Sequence, residues 1–195
     1  KMKVAVTDMN QPLGRYSGVG CEVQESIECL RGRGDKDLMK IVFHLAIEII
    51  GTVEDEVDWH RLRSLIDDGQ AHGAFVSMVE AHGGSLKDFE DKRYTSPRHT
   101  FTLKSDFDGY IKSFETKKIG ELLSEIGAGT LNNPDGIDGY AGVVVHKKIS
   151  DRVSKGEGVM DFCCSSEKKI NNLIEGNYNL FEVSESECDA PCLIY

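Results

Sequence analysis

The sequence predicts an α+β fold, and three observations predict it. A short β-branched run, Met2 to Thr7, ends in a turn-rich segment. Between about residues 20 and 82, apolar residues recur at helical spacing. After Pro97 the spacing changes to the alternation of half-buried strands. A chain of 195 residues can hold one sizeable core or two small ones. With 39% hydrophobic and 29% charged residues it has the balance of a globular protein rather than a disordered one.

Met2 to Thr7 (MKVAVT) reads as a central strand, and Asp8 to Gly14 as the polar loop after it. Strand, loop and helix make a βα unit, whose loop lies at the carboxyl edge of a sheet, where ligands collect in open α/β proteins. A chain that opens on such a strand is expected to have polypeptide before it. The helix from about Gly20 to Leu30 sets Val19, Val23, Ile27 and Leu30 on one face, with Glu22, Glu25 and Cys29 on another stripe. The next, about Asp37 to Ile50, is apolar nearly all round except for Lys40, His44 and Glu48, spaced by four. Those polar residues interrupt it too often for a membrane span, which needs roughly 20 mostly apolar residues, so a buried soluble helix is expected. His44 reads as solvent-facing or as part of an i,i+4 ladder rather than as a ligand or base.

Two amphipathic helices follow. Trp59, Leu62, Leu65 and Ile66 share one face, with Gly69 where a C-cap would stand. Ala71, Ala74, Phe75, Met78, Val79 and His82 keep the helical period as far as Gly83-Gly84. Both stripes are expected to be core. Lys87 to Pro97 is charged and aperiodic, which marks it as a linker.

Beyond the linker, Phe101 and Leu103 alternate with Thr100, Thr102 and Lys104, and Asp108-Gly109 is expected to turn the chain back into Tyr110 to Phe114. A helix with Ile119, Leu122, Leu123 and Ile126 inside ends at Gly127. Thr130 to Gly139 is a loop with four turn formers in a row, Asn132, Asn133, Pro134 and Asp135. Val143 to Val145 reads as a central strand. Ser150 to Gly158 turns the chain into a strand from Val159 to Cys163, and a short helix and a strand from Tyr178 to Val183 close the order.

A net charge of −10 and a pI near 5.1 argue against a nucleic-acid surface, which needs a basic face, and against docking on anionic lipid. The six cysteines form no disulfide framework and none has zinc-ligand spacing. They read as buried or incidental thiols in a reducing cytosol, which gives a cytoplasmic localisation. The sequence contains no Walker-type phosphate loop, GxGxxG, GxSxG or HExxH. Carboxylate runs such as Glu54-Asp55-Glu56 read as solvated clusters. What remains is the tight turn Asp8 to Arg15 followed by Glu22 and Glu25. Such a turn can aim backbone carbonyls at one point, and a carboxylate from the next helix can join them around a hard cation. Equally, Glu22 and Glu25 can complement the helix dipole, and spacing alone favours that role.

VTDMNQPLGR (Val6 to Arg15) followed by GCEVQESIE (Gly20 to Glu28) resembles the pyrimidine-nucleoside and thymidine phosphorylases, whose pattern is close to TDM-x-QPLG and then ALEV-x-EAI. IGAGTLNNPDGID (Ile126 to Asp138), GVVVHKKISDRVSKGE (Gly142 to Glu157) and the closing Cys192-Leu193-Ile194-Tyr195 are similar to further segments of that family, in the same order. The resemblance implies that residues 1–95 are the end of a large α/β domain, its last strand and helices. It implies that 96–195 are the β-rich carboxyl-terminal domain, a mixed sheet with packed helices. The implied reaction is phosphorolysis: a pyrimidine nucleoside and phosphate give the free base and a pentose 1-phosphate.

In the family, the phosphate loop and the base-contacting residues come before the matching stretch, so no catalytic or substrate-binding residue carries over. The resemblance implies that this chain alone is inactive and is completed by a missing amino-terminal half in a cytosolic homodimer. One family site reaches this segment, a structural potassium ion. Its ligands by position are Leu13 and Tyr16 through backbone carbonyls and Glu25 through its carboxylate. The chain alone should bind that ion poorly, and no organic cofactor is implied.

Tyr16, Ser17, Val19 and Gly20 depart from the family at the helix approach, Ser150 replaces the glycine of its KKxGD turn, and Asn132-Asn133-Pro134 is unusual. Two rival readings stand beside this one. Ser150 to Glu157 also looks like half of a lipoyl or biotinyl carrier, with Lys168 or Lys169 as the modified lysine, although the first half-barrel and the usual hairpin pair are missing. A non-catalytic scaffold that pairs with a separate catalytic chain is the other.

Overall fold

A computed structural model describes residues 2–53, 57–90, 99–129, 136–176 and 178–195. The expected carboxylate run at 54–56, most of the linker and the turn at 132–135 lie outside those residues.

After a two-residue strand β1 (Tyr16–Ser17) come four helices, α1 (Val19–Leu30), α2 (Lys36–Ile50), α3 (Trp59–Asp67) and α4 (Gln70–Ala81), and a single turn α5 (Lys87–Glu90). Strands then dominate: β2 (His99–Lys104), β3 (Gly109–Phe114), helix α6 (Thr116–Ile126), β4 (Gly142–Val145), β5 (Arg152–Val153), β6 (Gly158–Cys164), helix α7 (Glu167–Glu175) and β7 (Phe181–Ser184). The α+β class holds. Among the described residues no helix is long and apolar enough to cross a membrane.

The strands form two sheets, ordered β1-β4-β6-β2 and β5-β3-β7. Every pair is antiparallel, where a mixed sheet was expected. The hairpin expected at Asp108-Gly109 does not form, because β2 pairs with β6 while β3 pairs with β5 and β7. Two contacts carry the chain from one sheet to the other. The buried Ser105 exchanges backbone hydrogen bonds with Gly156 and Glu157, and Gly109 passes so close to the Ser184 carbonyl that a Cβ would meet it at 2.3 Å.

Most of the core lies between the sheets and α6 and α7. Ile111, Val143, Val145, Val159, Met160, Phe162 and Leu180 are fully buried there with Ile119, Leu122 and Ile126 of α6 and Ile170 and Leu173 of α7. α6 ends as its sequence expects, at Gly127 with φ +116°, a left-handed position that suits a residue without a Cβ. A second cluster joins Cys29, Met39, Phe43, Leu62 and Ile66 of the first three helices.

Three expectations for the amino-terminal part are corrected. Met2 to Thr7 is an extended segment, not a strand, and Val4 and Val6 are 76% and 57% exposed. A β-branched run needs a partner for its backbone groups. Among the described residues this one finds the chain's end, through a Thr7–Ile194 bridge and bonds from Asp8 N to Leu193 O and from Tyr195 N to Val6 O. α4 buries none of its residues, so its apolar stripe is half-covered at best, with α3 and α1 as its helical neighbours. α2 buries Met39, Ile41 and Phe43 but leaves Val42, Leu45 and Ile49 exposed.

Candidate cation loop and charged cleft

The loop from Asp8 to Arg15 turns sharply at Gly14, where φ is +67°. A Cβ there would meet Glu25 Oε2 at 2.5 Å, so glycine leaves the room that the carboxylate fills. The buried stripe of α1 is Cys21, Glu25 and Cys29, spaced by four, with Ile27 beside it. This differs from the expected apolar face, since Val19 is exposed. Glu25 is 7% exposed and accepts the Arg15 amide at 2.7 Å together with the Tyr16 amide. Burial raises its carboxyl above the usual range, an effect that the two amide donors and the Lys148 charge partly offset.

Glu22 has a different task. Its Oε1 accepts the Gly18 amide at 2.9 Å and so satisfies a donor at the start of α1. Of the two carboxylates set near that helix start, Glu22 serves the helix and Glu25 turns to the loop. Leu13 sits on the loop, 40% exposed, next to the glycine that touches Glu25. Tyr16 begins the sheet as the partner of Val144, and its phenol is raised first by burial and then by the Glu25 charge. The three residues that the resemblance implies as ligands therefore lie around one turn. His44 lies half-buried on α2, on the same helix as Glu48.

Sequence reading missed the groups that hold this loop from outside. Asp37, in the first turn of α2, accepts the Gly14 amide at 3.1 Å through Oδ1. Its Oδ2 accepts from the Lys148 ammonium at 2.9 Å, and the same ammonium donates to the Pro12 carbonyl. Gln11 Oε1 accepts the Ile149 amide at 2.9 Å. Arg15 binds Asp35 at 2.6 Å and the His146 carbonyl at 3.0 Å, and its own carbonyl accepts from Val145 N at 2.7 Å. Burial works to raise the Asp35 carboxyl, but the Arg15 guanidinium holds it below its usual value. The available signal was the pair Lys147-Lys148 followed by Asp151, but contacts 111 to 138 residues apart leave no local pattern.

The turn Lys148 to Asp151 closes with the Lys148 amide bound to Asp151 Oδ2 and with Ser150 at φ +77°. That is the left-handed conformation for which glycine is suited. Here a serine adopts it.

Beside the loop lies a cleft of about 830 Å3, lined by four basic side chains and five carboxylates. Three of the basic groups are tied within it, Arg15 to Asp35, Arg33 to Glu28 and Lys148 to Asp37. A phosphate dianion needs donors whose charge is not already balanced, and a cleft with more carboxylates than cations repels it. Lys168 and Lys169 stand in the first turn of α7, capped by Ser166, and not at a hairpin tip. The carrier reading loses its geometry.

The sequence that builds this loop and these sheets is similar to that of known proteins. The family model for the pyrimidine nucleoside phosphorylase C-terminal domain matches residues 110–184, from β3 to β7. A pyrimidine-nucleoside phosphorylase of Geobacillus stearothermophilus is 28% identical over 200 residues, covering 100% of this chain and 46% of the relative. One from Staphylococcus epidermidis is 31% identical over 196 residues, 97% of this chain and 45% of the relative. A thymidine phosphorylase of Metamycoplasma hominis is 30% identical over 195 residues, 97% of this chain and 71% of the relative. The class so defined is that of the nucleoside phosphorylases. More narrowly, the chain belongs to the pyrimidine-nucleoside (thymidine) phosphorylase family. It spans about half the length of the Geobacillus and Staphylococcus relatives.

Proposed function

We propose that these residues form the supporting carboxyl-terminal part of a pyrimidine-nucleoside phosphorylase, in which a nucleoside such as thymidine or uridine and phosphate give the base and a pentose 1-phosphate. On this reading, residues 1–95 complete the catalytic α/β domain and 96–195 form the domain packed beside it. The phosphate- and base-holding groups come from other polypeptide, and the parent works as a cytoplasmic homodimer. The observation that carries the reading is the charged cleft, where three of the four basic groups are paired with neighbouring carboxylates and carboxylates outnumber cations five to four. Phosphorolysis requires the reverse, unbalanced donors held against an oxyanion.

The loop supports a role for a potassium ion in the parent. Leu13 and Tyr16 would offer backbone carbonyls and Glu25 its carboxylate. The fit rests on the buried Glu25 carboxylate packed against Gly14 of the loop, since a nearby cation offsets the cost of burying that charge. Among the described residues no group of three or more His, Cys, Asp or Glu side chains could hold a metal, so a cation here relies on backbone oxygens. When bound, such an ion supplies fixed positive charge that braces the loop. The chain's own contribution is to hold the turn, through Asp37 on the Gly14 amide and Lys148 on the Pro12 carbonyl.

Incubation of the isolated chain with thymidine or uridine and phosphate is expected to release no base above background. Robust turnover would refute the assignment of the chemistry to other polypeptide.

A further inference from the structure

Helix α1 presses on the sheet where Gly142 opens β4. A Cβ at Gly142 would meet Cys21 Sγ at 2.7 Å and Cys21 Cβ at 3.5 Å. Across the ladder Gly142 pairs with Cys163 of β6, whose Sγ lies 3.4 Å from the Gly142 carbonyl oxygen and 3.4 Å from that of Tyr140. Cross-strand partners carry their Cβ positions about 4.5–5.5 Å apart on one face of the sheet. The two thiols therefore lie beside each other, at the space that the missing Gly142 side chain leaves. A disulfide needs Cβ atoms about 3.5–4.5 Å apart, so closing one draws Cys21 and Cys163 together across the space over Gly142.

The two sulfurs are not equivalent. The neighbouring Cys163 thiol holds the Cys21 thiol below its ordinary value, whereas Cys163 is pushed up by Cys21 and by burial. Both residues are only 4% exposed, so peroxide must reach a buried pair. Of the two, Cys21 has the greater thiolate character and is the nucleophile, with Cys163 the resolving thiol. The neighbouring Cys29, pushed up to about 11 mainly by burial, stays protonated.

We propose that Cys21 and Cys163 are a peroxide-responsive pair that closes a reversible disulfide between α1 and β6. The Cys21 thiolate attacks one oxygen of hydrogen peroxide, the O–O bond breaks, and the leaving hydroxide takes up a proton as water, which leaves Cys21 as a sulfenic acid. Cys163 sulfur then attacks the Cys21 sulfur, the S–O bond breaks, and the departing hydroxide takes the Cys163 proton as a second water. Both thiols are oxidised and one peroxide is reduced. A small dithiol reverses the bond by exchange. Glu25 lies one helical turn beyond Cys21 on the same buried stripe, so the closed bond fixes to the sheet the helix that carries the loop's carboxylate.

The test exposes the chain to hydrogen peroxide, alkylates the remaining thiols under denaturing conditions and maps peptides by mass. A peptide containing Cys21 joined to one containing Cys163 is expected, reversed by dithiothreitol. The oxidised chain should melt higher than the reduced one by about 5 °C or more, as expected for a bond that closes a long loop. Cys21→Ser and Cys163→Ser should each abolish both effects, and the wild-type map decides if either variant fails to fold. Finding both thiols alkylated after the exposed Cys192 has oxidised, or Cys163 joined to Cys164, overturns the proposal.

Discussion

The Lys148 ammonium lies 2.9 Å from Asp37 Oδ2, with the two side chains only 10% and 14% exposed, and it joins the strand-rich part of the chain to the start of α2. Asp37 also receives the Gly14 amide, and Lys148 donates to the Pro12 carbonyl, so one ion pair fixes both sides of the loop turn.

Removing one partner of a buried pair leaves the other charge uncompensated, which typically costs about 3 kcal/mol or more. Lys148→Ala should destabilise the chain by about 3 kcal/mol in urea unfolding on that basis. Lys147→Ala, which breaks the more exposed pair with Glu157, should cost less than about 1 kcal/mol. Equal losses would show that the Lys148 contact does not brace the loop.

Ser150 holds φ at +77°, a conformation that strains a residue with a Cβ. Ser150→Gly should raise stability by about 0.5–1 kcal/mol, the relief of that strain less the greater freedom glycine has when unfolded. A destabilised glycine variant would mean that the serine side chain has a compensating contact.

The Glu25 carboxyl is raised in the folded chain, burial being the largest cause. Between its ordinary value of 4.5 and the higher folded value, the folded state binds more proton than the unfolded state. Stability from this group is therefore present at low pH and is lost as pH rises through the folded value. The difference in unfolding free energy between wild type and Glu25→Gln, followed against pH, should fall across that window and then level. A rising difference would mean that the amide donors outweigh burial.

How far the sequence showed these arrangements depends on how local each one is. α6 was readable because its stripe, Ile119, Leu122 and Ile126, and its terminator Gly127 lie within one helix. The strands β4 and β6 were readable because continuous runs of Val, Met and Phe suit a doubly covered strand. Met2 to Thr7 failed because β-propensity describes a surface that needs partners, and here the chain's end supplies only a bridge. Asp108-Gly109 has hairpin chemistry, yet Ser105 and Ser184 draw the flanking strands into different sheets. At the site, Glu25 could be picked out beside its loop, whereas its separation in role from Glu22 needed the Gly18 and Arg15 amides to be placed. Asp37 and Lys148 meet only through the tertiary fold.

If the potassium ligands Leu13, Tyr16 and Glu25 are only part of a set, the chain alone has little affinity for the ion. Its thermal midpoint should then agree within about 1 °C in potassium, sodium and choline chloride of equal ionic strength, since only binding to the folded state raises it. A rise specific to potassium would mean that the chain supplies a complete site.

The most direct measurement of the central claim is calorimetric titration of the chain with phosphate and with thymidine, each in the presence of the other. With carboxylates outnumbering the basic side chains in the cleft, the chain should show no saturable heat with either ligand. Stoichiometric binding of both would place the reaction centre within these 195 residues and contradict the account.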